Sequence, residues 1–575
     1  MYKRKSEVSV ASAIRTCRSA FLGIFIVSAV INLLMLTGPL FMLQVYDRVL
    51  ASGSVPTLIV LSGIALALYL FSGVLDILRS RALTRISMRV YARLSDPVLR
   101  ANIRMPIVGG HKAAGVHPGR DLDAVRRFLA SPGPAAIFDL PFMPFYFMII
   151  FLFHFWLGIL SLVGGLLIFG LVVANELMSR EPTRELGSRS GAQSKVMDSA
   201  RRNAEVVSAM GMLGRLSDRF SDLMAPHVAA QQAAADRSNF FSSAIKLLRL
   251  VLQSAMLGLG AYLAILQEIT PGVMIASSII MARALAPIEQ AVSHWPSFVA
   301  SRQATSRLDQ ALQDTGGQTA PGGLPLPTQD VTITELATSA PGEPVVLLQG
   351  VALQLKAGDG LGVIGPSGSG KTSLARALVG VWPHLRGAVR LDGSTLDQWN
   401  EDERSKIIGY LPQDVELFDG TVADNICRFE KKPDMLAIVQ AAKLAGVHRL
   451  IANLPDGYGC VVGDSGARLS AGQRQRLGLA RALYGNPFMI VLDEPNSNLD
   501  IEGEQALTAA IQEVRARGGI VIVIAHRTSA LSAVNKVLMI QNGQQVAFGE
   551  RDDVLTGLAV LDRPATNQKA FSHAV

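Results

Sequence analysis

Gly365-Pro366-Ser367-Gly368-Ser369-Gly370-Lys371-Thr372 fits the phosphate-loop pattern G-x-x-x-x-G-K-[ST] at every fixed position. Its small residues let backbone N–H groups close around a phosphate without side-chain clash. Lys371 adds a point charge for β- and γ-phosphates, and the Thr372 hydroxyl is placed to hold Mg²⁺. The apolar run Leu361-Gly362-Val363-Ile364 precedes the loop and reads as a strand. Leu374 and Leu378 follow it four residues apart, as on the buried face of a helix. Strand, glycine loop and helix in this order set a helix N-terminus beneath an anion. A layered α/β domain is therefore expected around this stretch.

Outward from the loop, the composition changes character. Of the 575 residues, 49% are apolar and only 17% charged, and the mean hydropathy is +0.32. That balance points to membrane content. The net charge of +8 suits either nucleic acid or an anionic membrane surface, and the positions of the charges decide between them. Cys17, Cys427 and Cys460 lie far apart with no CxxC, so neither a metal site nor a disulfide framework is expected. The basic start Met1-Tyr2-Lys3-Arg4-Lys5 precedes an apolar run too long for a secretory signal and without an A-x-A site. It reads as the first membrane span.

A spanning helix needs about 20 mostly apolar residues. Six stretches qualify, at about 20–45 (with a bend at Pro39), 57–78, 134–153, 157–177, 247–266 and 272–292. Pro141 and Pro144 are expected to kink the third span. Arg283 and Glu289 interrupt the sixth, and a mid-depth charge such as Arg283 must face protein or a watery path. The connection 79–134 carries eleven Lys/Arg against Asp96, Asp121 and Asp123, and 180–246 carries ten against seven acids. The opposite connections, 46–56, the turn at His154 and 267–271, are short and between them hold one Arg, Arg48, and no Lys. Basic loops stay in the cytoplasm, which puts both termini there and accounts for the net charge without nucleic acid. Both long connections read as helices. Arg81, Arg85, Arg89 and Arg93 form a charged stripe that is expected to be a solvated face.

Gly/Pro/Thr-rich sequence at 313–329 marks a boundary. Beyond it, Leu411-Pro412-Gln413-Asp414 puts an amide after an apolar turn. Leu469-Ser470-Ala471-Gly472-Gln473-Arg474-Gln475 opens a helix with residues suited to a phosphate. Met489-Ile490-Val491-Leu492-Asp493-Glu494 is a buried parallel-type strand ending in two carboxylates. Asp493 suits the water shell of Mg²⁺, and Glu494 suits orienting or deprotonating an attacking water. Ile520-Val521-Ile522-Val523-Ile524-Ala525 is a further apolar strand, ending in His526. A histidine at the carboxyl end of a parallel strand is placed to meet a γ-phosphate.

This ordered set resembles the ATP-binding-cassette family, and the resemblance covers nearly the whole chain. By motif, 365–372 looks like Walker A, Gln413 the Q-loop, 469–475 the family signature (with Ala471 where Gly is commoner) and 489–494 Walker B. Ser497-Asn498-Leu499-Asp500 looks like the D-loop, His526 the switch histidine, and Val462-Gly463-Asp464-Ser465-Gly466 the exporter X-loop. Val45-Tyr46-Asp47-Arg48-Val49, Phe138-Asp139-Leu140-Pro141 and Ala209-Met210-Gly211-Met212 look closer to the type I secretion ATPases for proteases and lipases.

The resemblance implies a six-span α-helical transmembrane domain of type I exporter kind, fused to a cytoplasmic α/β P-loop nucleotide-binding domain. The expected limits are a cytoplasmic segment 1–19, the transmembrane domain 20–310, a linker 311–330, the nucleotide-binding domain 331–565 and a tail 566–575. It implies a homodimer holding ATP and Mg²⁺ in two competent sites. Gly365, Pro366, Ser367, Gly368, Ser369, Gly370, Lys371, Thr372, Ser373, Gln413, Ser470, Gly472, Gln473 and Asp500 would bind nucleotide. Thr372, Gln413 and Asp493 would hold the metal, and Glu494 and His526 would be catalytic. The stretches 121–129 and 204–212 sit where exporters carry coupling helices. The family's adenine-stacking aromatic is missing from Glu335-Leu336-Ala337-Thr338-Ser339-Ala340-Pro341-Gly342, so an aliphatic contact would replace it. The expected role is ATP-driven export of an unfolded polypeptide across a bacterial inner membrane. A periplasmic adaptor, an outer-membrane tunnel and a protease-, lipase- or calcium-repeat-type cargo would be its partners. The rivals are an exporter of lipid or drug, a non-transporting regulator or channel, and a soluble ATPase acting on nucleic acid.

Overall fold

The computed structural model describes residues 9–110, 116–316, 323–463, 466, 469–525 and 528–561, with side chains outside 179–195, 234, 528–530 and 557–561. His526, Asp464 and Ser465 of the motifs above, and the tail 566–575, lie outside the described residues. Contacts divide the chain into two units: Met1–Met105 with Ala113–Gly316, and Pro106–Lys112 with Gly317–Val575.

In the first unit, six helices among the described residues are long and apolar enough to cross a membrane. They are Arg18–Ser52, Val55–Gly109, Gly133–Phe153, Phe155–Met178, Leu213–Ile265 and Pro271–Ser293. Each coincides with one of the spans expected from hydropathy, the fifth ending at Ile265 where 266 was expected. Val55–Gly109 has 55 residues, so it is about 80 Å long and runs far past a bilayer. Its extension is amphipathic. Arg81, Arg85, Arg89 and Arg93 are all exposed, while Leu83, Ile86, Val90, Leu94 and Val98 are buried. That apolar face packs with Leu122, Val125 and Leu129 of the helix Pro118–Leu129 and with Ala304 and Leu308 of Trp295–Thr315. Asp121 is ion-paired with Arg307 in the same layer. The stretch 121–129 therefore has its apolar face already covered. The tip at Ala204–Ala209 differs: Val206, Met210 and Leu213 are exposed there.

Proline sets the breaks. The first span is interrupted at Met35 and Leu36, and Pro39 lies in the first turns of the next helix, Thr37–Gln44. In the third span, Leu140–Phe142 tightens to a 3₁₀ turn between Gly133–Asp139 and Met143–Phe153, where Pro141 and Pro144 fall.

Two polar clusters tie the spans together. Arg79 of the second span donates to both carboxylate oxygens of Asp139 in the third (2.9 and 3.0 Å), to Ser28 Oγ in the first (3.2 Å) and to Asp76 (2.8 Å). Asn32 Nδ2 donates to Asp139 (2.8 Å), and Tyr146 Oη donates to the Asn32 carbonyl (2.7 Å). The Arg79 and Asp139 side chains are only 11% and 14% exposed. Removing one member of such a pair leaves the other uncompensated, which costs about 3–5 kcal/mol. Asp139→Ala is thus expected to lower thermal stability of the detergent-solubilised protein by that order, and an unchanged melting temperature would contradict the network's role.

The second cluster lies at the end of the bundle with the short connections. The first span changes there to a π-helical turn, Val45–Val49. Asp47 in that turn accepts from Thr270 Oγ1 (2.6 Å) and from the Gly272 N–H (2.8 Å), capping the start of the sixth span. A Cβ on Gly272 would lie 2.5 Å from the Asp47 carboxylate, so glycine permits the approach. His154 meets Glu268 at 2.9 Å nearby in sequence to this cap. In the sixth span Glu289 pairs with Arg249 at 3.2 Å. Arg283 is exposed and makes no hydrogen bond or ion pair to the described residues.

The second unit is built on one sheet. Among the described residues its strands are β1 (Asp330–Ser339), β2 (Val346–Lys356), β3 (Gly360–Ile364), β4 (His384–Leu391), β5 (Ser394–Thr395), β6 (Ile408–Leu411), β7 (Met489–Asp493), β8 (Ile520–Ile524), β9 (Lys536–Gln541) and β10 (Gln544–Glu550). The order is β5-β4-β1-β2-β10-β9-β3-β8-β7-β6. β9, β3, β8, β7 and β6 are parallel, and β1, β2, β4 and β5 form an antiparallel extension. Alternate residues of the parallel strands enter two cores. Met489 and Val491 face one with Leu374 and Leu378, and Ile490 and Leu492 face the other with Leu477 and Leu507. Burial on both faces explains the unbroken apolar runs in the sequence.

Candidate functional site

β3 lies between β8 and β9, and its carboxyl end opens directly into the phosphate loop. Gly365, Gly368 and Gly370 all have positive φ, at 150°, 78° and 102°. A Cβ on Gly365 would fall 2.0 Å from the Ile540 carbonyl oxygen, so the loop can turn here only with glycine. The helix Lys371–Leu378 then starts at Gly370 with no side-chain cap. Its first N–H groups remain available to an anion, and the helix dipole favours one.

Lys371 is nearly buried, and its Nζ donates to the carbonyls of Gly365 and Pro366, both at 2.8 Å. Burial pulls its pKa down, while the charges of Glu494 and Asp493 pull it up, for a net depression. The ammonium is thus hydrogen-bonded over the loop to two neutral carbonyls, with the carboxylates of Glu494 and Asp493 near enough to be felt. Thr372 Oγ1 reaches Asp493 Oδ1 at 3.4 Å.

Asp493 ends β7, fully buried, and burial raises its pKa against the Thr372 hydrogen bond. Its Oδ2 has no partner. A buried carboxylate oxygen left bare beside a hydroxyl and a phosphate loop fits a Mg²⁺ site. That ion takes few protein ligands and draws the rest from phosphate and water. Among the described residues there is no group of three or more His, Cys, Asp or Glu that could hold a metal ion by itself. Ser369 Oγ is likewise buried without a partner.

Glu494 follows with φ 49°, in the left-handed region. Its N–H donates to the Ile524 carbonyl (3.0 Å), and its carbonyl accepts from Gln475 Nε2 (3.3 Å). Asn498 Nδ2 donates to Gln475 Oε1 at 3.1 Å, which ties the turn after β7 to the helix Ala471–Leu483. A Cβ on Gly472 would lie 2.7 Å from the Asn498 carbonyl, so that helix starts in close contact with the same turn.

Ser470 caps the helix through a reciprocal pair. The Gln473 N–H donates to Ser470 Oγ (3.3 Å), and the Ser470 N–H donates to Gln473 Oε1 (2.9 Å). Asp500 caps the helix Ile501–Ala516 by accepting from the Gly503 N–H and pairs with Arg476 at 2.6 Å. Those contacts hold its pKa below the ordinary carboxylate value, the Gly503 hydrogen bond leading. Gln413 stands exposed beyond β6, whose Leu411 pairs with Leu492 of β7. It makes no hydrogen bond to the described residues, leaving its amide free to engage a ligand.

The sheet therefore gathers Gly365–Thr372, Asp493 and Glu494 at its carboxyl edge. Strand register brings the run to Gln413 to the same edge. After β1, Ala340 and Pro341 make a turn, and the exposed Val345 and Val346 lead into β2.

The ABC transporter profile matches residues 348–497, and the ABC transporter transmembrane region matches 21–287. The chain is 48% identical over 545 residues to a type I secretion system ATP-binding protein, PrsD of Rhizobium meliloti (strain 1021), covering 95% of this chain and 94% of that one. It is 28% identical to the exotoxin translocation ATP-binding protein PaxB of Pasteurella aerogenes, covering 94% and 77%. It is also 28% identical to the leukotoxin translocation ATP-binding protein LktB of Mannheimia glucosida, covering 94% and 76%. A solved bacterial Atm1-family exporter with ATP bound has the same fold, with a TM-score of 0.82 at 20% identity over 96% of this chain and 99% of that one.

Proposed function

The chain belongs to the ABC transporter family, and from that premise we propose that it is the inner-membrane ATPase of a type I secretion system, exporting an unfolded polypeptide. The observation that carries ATP hydrolysis is the bare, buried Asp493 oxygen beside Thr372 at the mouth of an uncapped phosphate loop. Support for a polypeptide cargo comes from the 48% identity to PrsD along nearly the full length of both chains.

In this reading the backbone of 365–370 and the first turn of Lys371–Leu378 cradle the phosphates. Lys371 exchanges its two carbonyl partners for phosphate oxygens. Thr372, Asp493 and Gln413 would hold Mg²⁺, which when bound neutralises charge on the phosphates. Glu494 takes a proton from the attacking water, and Ser373 and His526 complete the phosphate contacts. Val345 and Val346 supply the aliphatic face for adenine that replaces a stacking ring.

Two copies face each other, each phosphate loop meeting the other copy's Ser470, Gly472 and Gln473, with Asp500 behind them. Nucleotide binds the joined state better than the open one, and that differential affinity drives the spans. The exposed tip at Ala204–Ala209 suits a coupling role, since its apolar residues still lack cover. The basic connections support a cytoplasmic side for both termini, with the short connections outside. A periplasmic adaptor and an outer-membrane tunnel complete the path.

Reconstitution tests the reading. Vesicles holding this chain with its adaptor and tunnel are expected to show ATP-dependent export of a polypeptide bearing a C-terminal signal. Export of a lipid or drug by this chain alone, with no polypeptide moved by the complete assembly, would overturn it.

A further inference from the structure

Arg428 lies outside every motif read from the sequence, yet among the described residues its guanidinium is the most fully engaged cation in the second unit. The chain leaves the short helix Val422–Ile426 and turns through two successive left-handed residues, Arg428 (φ 58°) and Phe429 (φ 60°). Bulky side chains avoid this region, so the surroundings must enforce it. A guanidinium has five N–H groups. Here all five go to backbone carbonyls: Nε to Arg481 (3.0 Å), Nη1 to Ile408 (3.1 Å) and Ser405, and Nη2 to Ala482 (3.2 Å) and Tyr484 (3.3 Å). Burial, with the neighbouring Arg481 charge, brings its pKa down to about 10, so it stays charged at neutral pH.

These carbonyls belong to two elements. Arg481 and Ala482 are in the last turn of the helix Ala471–Leu483, and Tyr484 follows it. A helix C-terminus leaves its last carbonyls without partners and attracts a cation. Ile408 is the first residue of β6, and Ser405 lies in the helix Glu401–Ile407 just before it.

The same two elements approach at glycine distances. A Cβ on Gly409 would sit 2.1 Å from the Ala482 carbonyl oxygen, and one on Gly478 would sit 2.7 Å from Val415 and 2.9 Å from Leu411. Arg481 Nη1 adds a bond to the Glu416 carbonyl at 3.1 Å. At their far ends, β6 leads to Gln413 and the helix begins at Ser470.

We propose that Arg428 is a positioning residue for ATP hydrolysis, locking the helix that presents Ser470 to the strand that leads to Gln413, so that a displacement of either is carried to the other. The proposal rests on the nucleotide-site reading above. Arg428 touches neither nucleotide nor reacting atoms. It acts by making Ser470 move with the strand as Gln413 follows the phosphates, and a small misplacement of such a group is enough to slow chemistry.

The test uses the full-length chain in detergent, with Arg428→Gly, which accepts φ 58° without strain, and Arg428→Lys, which keeps one cation but not the fork. Turnover, affinity for a fluorescent ATP analogue and thermal melting are measured for both. For Arg428→Gly the analogue affinity is expected to stay within about twofold, and kcat to fall about 30- to 100-fold. Arg428→Lys is expected to fall between this and wild type. Wild-type kcat in Arg428→Gly overturns the proposal. So does loss of analogue binding in step with kcat, because Arg428 would then only hold the domain together. Should the glycine variant fail to fold, the same comparison is made on the lysine variant, where unchanged kcat or matched losses count against the proposal. Failure of the underlying reading is separable: wild type would then not turn over, or Glu494→Gln would turn over normally.

Discussion

Glu494→Gln is expected to abolish turnover while leaving ATP binding intact, and to trap two copies together in ATP. The substitution keeps the shape of the side chain and removes only its ability to take a proton. The backbone there is held on both sides, by the bond from its N–H to Ile524 and by the bond its carbonyl accepts from Gln475. The amide should therefore stand where the carboxylate stood. General-base catalysis is worth 10²–10⁴-fold, so kcat should fall about 10³-fold, or roughly 4 kcal/mol of transition-state stabilisation. Phosphate release, ATP-analogue binding and cross-linking of copies check the three parts. Turnover within a few fold of wild type would remove Glu494 from the mechanism.

Lys371→Ala should act earlier, on binding. The ammonium is buried above the loop and its hydrogen bonds go to neutral carbonyls, so it is poised for phosphate oxygens of opposite charge. Hydrogen bonds to charged groups are worth about 1.5–3 kcal/mol each, so affinity is expected to weaken about 100-fold. Loss of the two carbonyl bonds touches the nucleotide-free loop as well. Melting without nucleotide should fall only slightly, while the stabilisation normally gained from ATP should nearly vanish. Titration with a fluorescent analogue measures the first effect and melting with and without ATP the second. An unchanged affinity would mean that the loop does not hold phosphate.

What the sequence disclosed follows from range. Spans and phosphate loop depend on neighbours: twenty apolar residues, or two glycines, a lysine and a threonine at fixed offsets, carry their meaning locally. Asp493 was legible because a strand buried on both faces ends in a carboxylate, a local contradiction that needs a reason. Arg79, Asp139 and Asn32 were not legible as one cluster, because three spans separated by up to 107 residues must pack before they meet. The periodicity of 121–129 shows an apolar face but not what covers it. Leu308 and Arg307, almost two hundred residues on, do that. The antiparallel strands β1, β2 and β4 joined the sheet without a sequence signal beyond their own alternation. Arg428 had no signal at all, since all its acceptors are backbone carbonyls, which any residue type provides.

The cap that Asp47 places on the sixth span joins groups 225 residues apart. At a synthesis rate of about 5–20 residues per second, roughly 10 to 45 seconds pass between the appearance of the carboxylate and that of the amide it receives. For that interval the first helix to enter the bilayer stands unfinished, and the last one to enter completes its rim. A chain cut short before Thr270 would leave the π turn around an unclaimed carboxylate.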